Sequence, residues 1–309
     1  MNDFSLNQIM LYTDEFFFRD GAIVIFSPID AKGDSPGFLR SRKSLEEHIE
    51  YINNNDIRKA IVVAEDISFL KQCPGLEQLD IYPAINATNF EYSPIYELQN
   101  IKKLQCVTMY GAERNKVTFI DYSKFSNLNE VRVINSKGHK NIQKSKQITD
   151  LFFYELPVSK TLDDELPSSN LESLEIVLSK LQTLEGIEKM SMLQKLILSH
   201  NRNLMDISAI SSLKKSLIYL EIENCNKIQD FSVLNDLENL EVLRLRGTNK
   251  IPDVFFLKKL PKLRVFQFTM NAENGDMSLC QNISWVSIRN RKHYSHKDSD
   301  FLKNYFKPE

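Results

Sequence analysis

The chain has 309 residues, 42% of them hydrophobic and 26% charged, with a formal net charge of −2 at pH 7. This balance gives no global attraction to nucleic acid or an anionic membrane, and no apolar run approaches the ~18 residues of a membrane span. The start, Met1-Asn2-Asp3-Phe4-Ser5, lacks a basic stretch followed by a long apolar one. A cytoplasmic protein is therefore the expectation, with export by a route that needs no such leader left open.

Residues 1–56 do not repeat and read as an N-terminal cap, with a separate functional domain as the alternative. Glu15 to Phe26 is predicted to be a β-hairpin turning at Asp20-Gly21, a pair suited to positive φ. A polar loop with Gly33, Pro36 and Gly37 follows. Ser44 and Glu47 have the spacing of a capping box, opening a helix through His48 and Ile52 that stops at Asn53-Asn54-Asn55.

From residue 57 a phrase returns about every two dozen residues: Leu-x-x-Leu-x-Leu. Its clearest copies are Leu193/Leu196/Leu198, Leu217/Leu220/Ile222 and Leu240/Leu243/Leu245. Looser copies stand at Ile57/Ala60/Val62, Leu76/Leu79/Ile81, Ile101/Leu104/Cys106, Leu128/Val131/Val133, Ile148/Leu151/Phe153, Leu171/Leu174/Ile176, Leu263/Phe266/Phe268 and Ile283/Val286/Ile288. Self-similarity at that period means a solenoid whose units bury their apolar sides only against one another. Each copy is predicted to be a short strand paired in parallel with its neighbours. The return segments carry apolar residues spaced by three, as in Leu181/Leu184/Ile187/Met190 and Ile207/Ile210/Leu213, which suits a short α or 3₁₀ turn. Just past the strand, Asn201, Cys225, Thr248 and Asn271 occupy a slot where a small polar side chain can satisfy buried backbone groups. The four cysteines, Cys73, Cys106, Cys225 and Cys280, lack paired spacing and read as reduced, buried thiols.

The stretches from Leu184 to Asn201 and from Cys225 to Leu245 resemble repeats of bacterial leucine-rich-repeat proteins of the internalin-like class. The likeness is specific over residues 171–290 and looser over 57–170. It implies an α/β leucine-rich-repeat solenoid: a curved horseshoe with a concave parallel β-sheet, short α or 3₁₀ turns on the convex side and non-repeat caps at both ends. It also implies protein binding on the concave side and brings no catalytic residues. The domain reading is a cap over 1–56, about eleven repeats over 57–290 and a C-terminal cap or tail over 291–309. In that tail the pattern from Asp298 to Phe306 predicts one or two amphipathic helical turns closing the far end.

Residues between the core leucines face the concave surface. Large or charged groups there are Tyr82, Arg132, Ile134, Phe152, Tyr154, Tyr219, Glu221, Glu223, Arg244, Arg246, Trp285 and Arg289. Aromatics beside charges have the composition of a protein interface; the rival reading is that a loop, the N-terminal cap or a second copy covers them. For Arg244, Arg246 and Arg289 beside Glu221 and Glu223, a solvated face with internal ion pairs weighs equally with recognition.

Two basic stretches, Lys137 to Lys146 and Arg289 to Lys297, read as solvated loops rather than nucleic-acid sites, although Trp285 and Tyr294 adjoin the second. Cys280, His293 and His296 lack a fourth metal ligand and any Cys-x-x-Cys. No nucleophile–base pair, carboxylate pair or phosphate loop is legible, so neither catalysis nor a cofactor is expected. The sequence expectation is a non-enzymatic scaffold, monomeric or weakly dimeric, binding a partner protein without membrane or nucleic acid. Two roles stay open: an inhibitor or immunity-type partner, and an effector delivered to a host cell.

Overall fold

The computed structural model describes residues 11–31, 39–84, 87, 90–107, 119–134, 138–156, 161–162, 166 and 170–301. They fall into two compact units, Met1–Asn141 and Ile142–Glu309.

In the first unit β1 (Phe18–Arg19) and β2 (Ala22–Ser27) form the expected antiparallel hairpin. Asp20 and Gly21 both take positive φ, 50° and 79°, the geometry a tight two-residue hairpin turn requires. Strand β2 then pairs in parallel with β3 (Lys59–Ala64), placing Ile23 and Ile25 opposite Ala60 and Val62. The ladder continues through β4 (Gln78–Pro83), β5 (Lys103–Val107) and β6 (Glu130–Ile134). The non-repeating segment thus supplies the sheet with its first parallel strand. Between β2 and β3 runs α1 (Leu45–Asn54). Its N-terminus is capped reciprocally: Glu47 N donates to Ser44 Oγ at 3.1 Å and Ser44 N to Glu47 Oε2 at 2.7 Å.

The second unit stacks β7 (Asp150–Tyr154), β8 (Ser173–Val177), β9 (Lys195–Ser199), β10 (Tyr219–Glu223), β11 (Val242–Arg246), β12 (Val265–Phe268) and β13 (Trp285–Ile288) in one parallel ladder. All eleven copies of the sequence phrase carry a strand. Their second and third apolar residues are buried throughout, Leu196, Leu198, Leu220, Leu243 and Phe266 completely. The return segments after the repeats turn as 3₁₀ helices, such as Ile187–Lys189, Ser208–Leu213, Ser232–Asp236 and Phe255–Lys259. An apolar residue every third position matches a helix of three residues per turn.

Two ladders missed in the sequence brace these turns. Asp66, Asp121, Asp206, Asp230, Asp253 and Asp276 each accept a hydrogen bond from the backbone N–H two residues on, at the mouth of a 3₁₀ turn. Asn100, Asn127, Asn170 and Asn239, one residue before a core position, donate back to carbonyls of the preceding repeat.

The slot beyond the strand holds as expected at two positions. Asn201 is completely buried; its Oδ1 accepts from Ser179 N at 2.8 Å and Ser179 Oγ at 2.7 Å, and its Nδ2 donates to Ile176 O at 2.9 Å. Cys225 Sγ lies 3.6 Å from Leu198 O. The other two expectations need correction. Thr248 is exposed, and Asn249 fills the slot, donating to Cys225 O and Ile228 O at 3.2 and 2.9 Å. Gly247, at φ 145°, lengthens this turn by one residue and shifts the register. In the next turn Asn271 pairs with Lys250 in a two-stranded outer bridge instead. Its role passes to the buried Tyr294, whose hydroxyl accepts from Ala272 N and donates to Met270 O.

All four cysteines are buried with free thiols. Burial pushes the Cys73 and Cys225 thiols up to about 11 and Cys280 to about 12, so they stay neutral at physiological pH. The tail closes the end of the second ladder: a helical turn, Asp298–Phe301, buries Phe301, while Asp298 Oδ1 takes the free edge N–H of Ile288 at 2.7 Å. The predicted continuation through Tyr305 and Phe306 lies outside the described residues. No helix among the described residues is long and apolar enough to cross a membrane.

Candidate functional site

Each strand turns alternate residues into the core and onto the open face of its sheet, and the burial pattern follows that period. Parallel register stacks equivalent open-face residues into rows about 4.8 Å per step.

On the first unit the open face is closed at its N-terminal side. Val24, Ile61 and Val63 point to it, yet all three are buried, packed with Ala22, Ala31 and Ala84. Phe17, Phe26 and Tyr82 lie over these clusters. Tyr82, expected on a binding surface, therefore packs on the protein's own N-terminal residues, and its hydroxyl accepts from Gln105 Nε2 at 2.7 Å. Arg132 Nε donates to the same glutamine's Oε1 at 3.2 Å, and Ile134 is half-buried at the end of β6.

The second unit holds the other nine predicted residues. Phe152 and Tyr154 stand half-buried on the open face of β7. Further along, the register sets Lys195, Tyr219, Val242, Val265 and Trp285 side by side across β9 to β13. Four consecutive members, Tyr219 to Trp285, are apolar or aromatic and half-buried. The repeat spacing already puts Val242 and Val265 on this face, but as short residues they fall outside the predicted site list; the parallel register sets them in one row with the two aromatics.

Beside it runs a polar row. Glu221 and Arg244 are cross-strand partners, as are Glu223 and Arg246. The Glu221 side chain is only 7% exposed. Its carboxylate accepts from the Tyr219 hydroxyl at 2.6 Å, pairs closely with Arg246 Nη2, and lies 3.6 Å from Arg244 Nη1. Glu223 sits 3.0 Å from Arg246 Nη2 and takes a longer bond, 3.4 Å, from Ser199 Oγ. These partners offset the cost of burying the carboxylate. Burial, then the bond to Glu221, pushes the Tyr219 phenol up to about 12, so it stays protonated and remains the donor. The network extends to His200, whose ring nitrogens lie 2.8 Å from Ser199 Oγ and 3.0 Å from Asn224 Nδ2. Arg289 is exposed just beyond β13.

The C-terminal basic stretch has a structural use. Arg291 donates to Thr269 O and Met270 O, Lys297 Nζ reaches Arg291 O, and Tyr294 is buried rather than free to stack. Cys280 is buried, His293 Nε2 lies 3.0 Å from Ala272 O, and His296 Nε2 lies 2.7 Å from Gln281 Nε2. In the other stretch His139 stacks on Tyr122 at 2.8 Å from its hydroxyl, and Lys140 covers the Phe119 ring. Lys137 lies outside the described residues. Among the described residues no group of three or more His, Cys, Asp or Glu is placed to hold a metal ion.

Neither a protein-family model nor a curated protein sequence matches this chain. Solved structures do. An internalin (inlF) from Listeria monocytogenes is similar over 90% of this chain and 85% of its own, at 19% identity and a TM-score of 0.53. Internalin C2 from the same organism covers 71% of this chain and 83% of its own at 20% identity, with a TM-score of 0.41. A leucine-rich-repeat protein of Leptospira interrogans covers 87% and 81% at 15% identity and a TM-score of 0.40. With the first of these similarities and the eleven strand-bearing repeats together, the chain has the leucine-rich-repeat solenoid fold.

Proposed function

We propose that this protein is a non-enzymatic scaffold that recognises a partner protein through the open face of its second unit. The observation that carries the reading is the row Tyr219, Val242, Val265 and Trp285, four half-buried apolar residues side by side on adjacent strands and bordered by charge. Apolar and aromatic groups ringed by polar ones are the anatomy of an interface centre. The patch from β9 to β13 measures about 19 Å by about 17 Å, roughly 300 Å². That is less than half of the roughly 800 Å² each partner contributes to a standard interface. The row is therefore the anchor of a larger footprint. A role as an inhibitor or immunity-type partner, which acts by covering another protein, belongs to this proposal, as does action in the cytoplasm.

The test is affinity capture from lysate of the source organism. A Val242→Ser, Val265→Ser, Trp285→Ala variant, which leaves the Tyr219–Glu221 hydrogen bond in place, should lose the captured partner while keeping its melting transition within a few degrees. Reversing the exposed turn-side lysines, Lys214, Lys258 and Lys259, should leave capture intact. Capture that survives the first variant and fails with the second sinks the reading.

A further inference from the structure

The polar row beside the apolar one is unevenly paired, and the unevenness points to the chemistry of the partner. Around Tyr219 stand three cations, Lys195, Arg244 and Arg246, against two carboxylates, Glu221 and Glu223. Arg246 takes both carboxylates, and the Tyr219 hydroxyl takes part of Glu221 as well. What remains for Arg244 is one contact of 3.6 Å to Glu221, and its Nε is buried without a hydrogen-bond partner. A guanidinium has five N–H donors in a planar fork that suits a carboxylate, so Arg244, partly exposed, is held beside the ring with no carboxylate in close bidentate contact. Lys195 and Arg244 flank the same ring, at 5.8 and 5.6 Å from its centroid. Among the described residues no carboxylate lies within salt-bridge distance of Lys195. Tyr219 thus presents two under-partnered cations at the edge of an apolar row.

We propose that the partner is a protein presenting an acidic side chain next to a large apolar one, the carboxylate meeting Arg244 and Lys195 and the apolar group lying along Val242, Val265 and Trp285. This rests on the protein-binding reading above and narrows it. A nucleic acid fits the patch less well: phosphates would meet the partly exposed carboxylate of Glu223, and the adjoining row is aliphatic at Val242 and Val265, where bases would find no ring to stack on. A second copy of the chain would have to bring a carboxylate to the same spot.

The experiment pans a displayed library of random twelve-residue peptides on the full chain. Enriched peptides are sorted by whether Trp285→Ala, on the neighbouring row, weakens their binding. Wild-type protein should enrich sequences with Asp or Glu within two or three positions of an aromatic or leucine. Binding should fall at least tenfold with Arg244→Glu, less with Arg244→Gln, and weaken with salt. Selection on Arg244→Glu should shift the enriched charge from acidic to basic. Trp285-sensitive peptides without acidic preference, or indifferent to Arg244→Glu, overturn this inference and leave the protein-binding face standing. Failure to enrich any Trp285-sensitive peptide overturns both. Two further outcomes reassign the face: a dimer in sedimentation that Arg244→Glu dissociates, giving it to a second copy, or an Arg244-dependent complex with a labelled twenty-nucleotide single strand, giving it to nucleic acid. Circular dichroism melting of each variant within a few degrees of wild type confirms that folding is unaffected.

Discussion

Replacing Asn201 by Ala tests the repeat register at a single buried side chain. Asn201 is fully inaccessible, and its amide satisfies the N–H of Ser179 and the carbonyl of Ile176 in the preceding turn. Truncation would leave both backbone groups without this partner in a dry interior, where an unmet group costs about 1–3 kcal/mol. Ser179 Oγ also loses the acceptor of its own O–H, but a hydroxyl can rotate toward another acceptor, and it still accepts from Leu181 N at 3.4 Å. The two groups together give an expected destabilisation of about 2–6 kcal/mol. Asn203→Ala makes the same chemical deletion at an exposed position two residues away and should stay within about 0.5 kcal/mol of wild type. His200→Ala removes contacts to Ser199 and Asn224 at a half-buried site and should fall between the two. Urea unfolding followed by fluorescence suits the measurement, because the sole tryptophan, Trp285, reports on the second unit. Equal costs for Asn201→Ala and Asn203→Ala would refute the argument.

Asn249→Ala should destabilise by about 1–3 kcal/mol and Thr248→Ala by much less; the reverse order would restore the uninterrupted register in which Thr248 fills the slot. His48 is buried in α1, with Nδ1 2.8 Å from Ser44 O and Nε2 without a partner, and burial lowers its pKa below the ordinary 6.5. A depressed folded-state pKa means that the unfolded chain binds the proton more tightly. Stability should thus be complete above pH 6.5 and fall as pH drops below it, by at most about 1.4 kcal/mol per pH unit from this group. Comparing pH 7 with pH 5.5 should show a smaller loss in His48→Gln than in wild type, and identical losses would remove His48 as the cause.

Much of the fold was legible because periodicity is a local property of sequence. The phrase at two-dozen-residue intervals placed every repeat strand, Asp20-Gly21 placed the hairpin, and Ser44 with Glu47 placed the helix. The failures came where one residue altered the register: Gly247 moved the polar slot from Thr248 to Asn249, and no spacing argument can see a lengthened turn. A different signal was present but unread. Ala22-Ile23-Val24-Ile25-Phe26 and Ala60-Ile61-Val62-Val63 contain no polar alternation, and such runs belong to strands buried on both faces. That pattern announces the cover over the first unit's open face, and with it the partial burial of Tyr82. The candidate site was legible residue by residue but not as a site. Tyr219, Arg244 and Trp285 stood out by type, whereas Val242 and Val265 acquire meaning only when parallel pairing sets them between the two aromatics.

Carbene footprinting of the protein with and without its captured partner distinguishes binding on the second unit's open face from binding elsewhere. Labelling should fall at Tyr219, Val242, Arg244, Val265 and Trp285 and stay constant at Met205 and Phe255, which are exposed outside the strands. Protection of Met205 and Phe255 with unchanged labelling at Trp285 would contradict open-face binding and move the binding surface to the turn side.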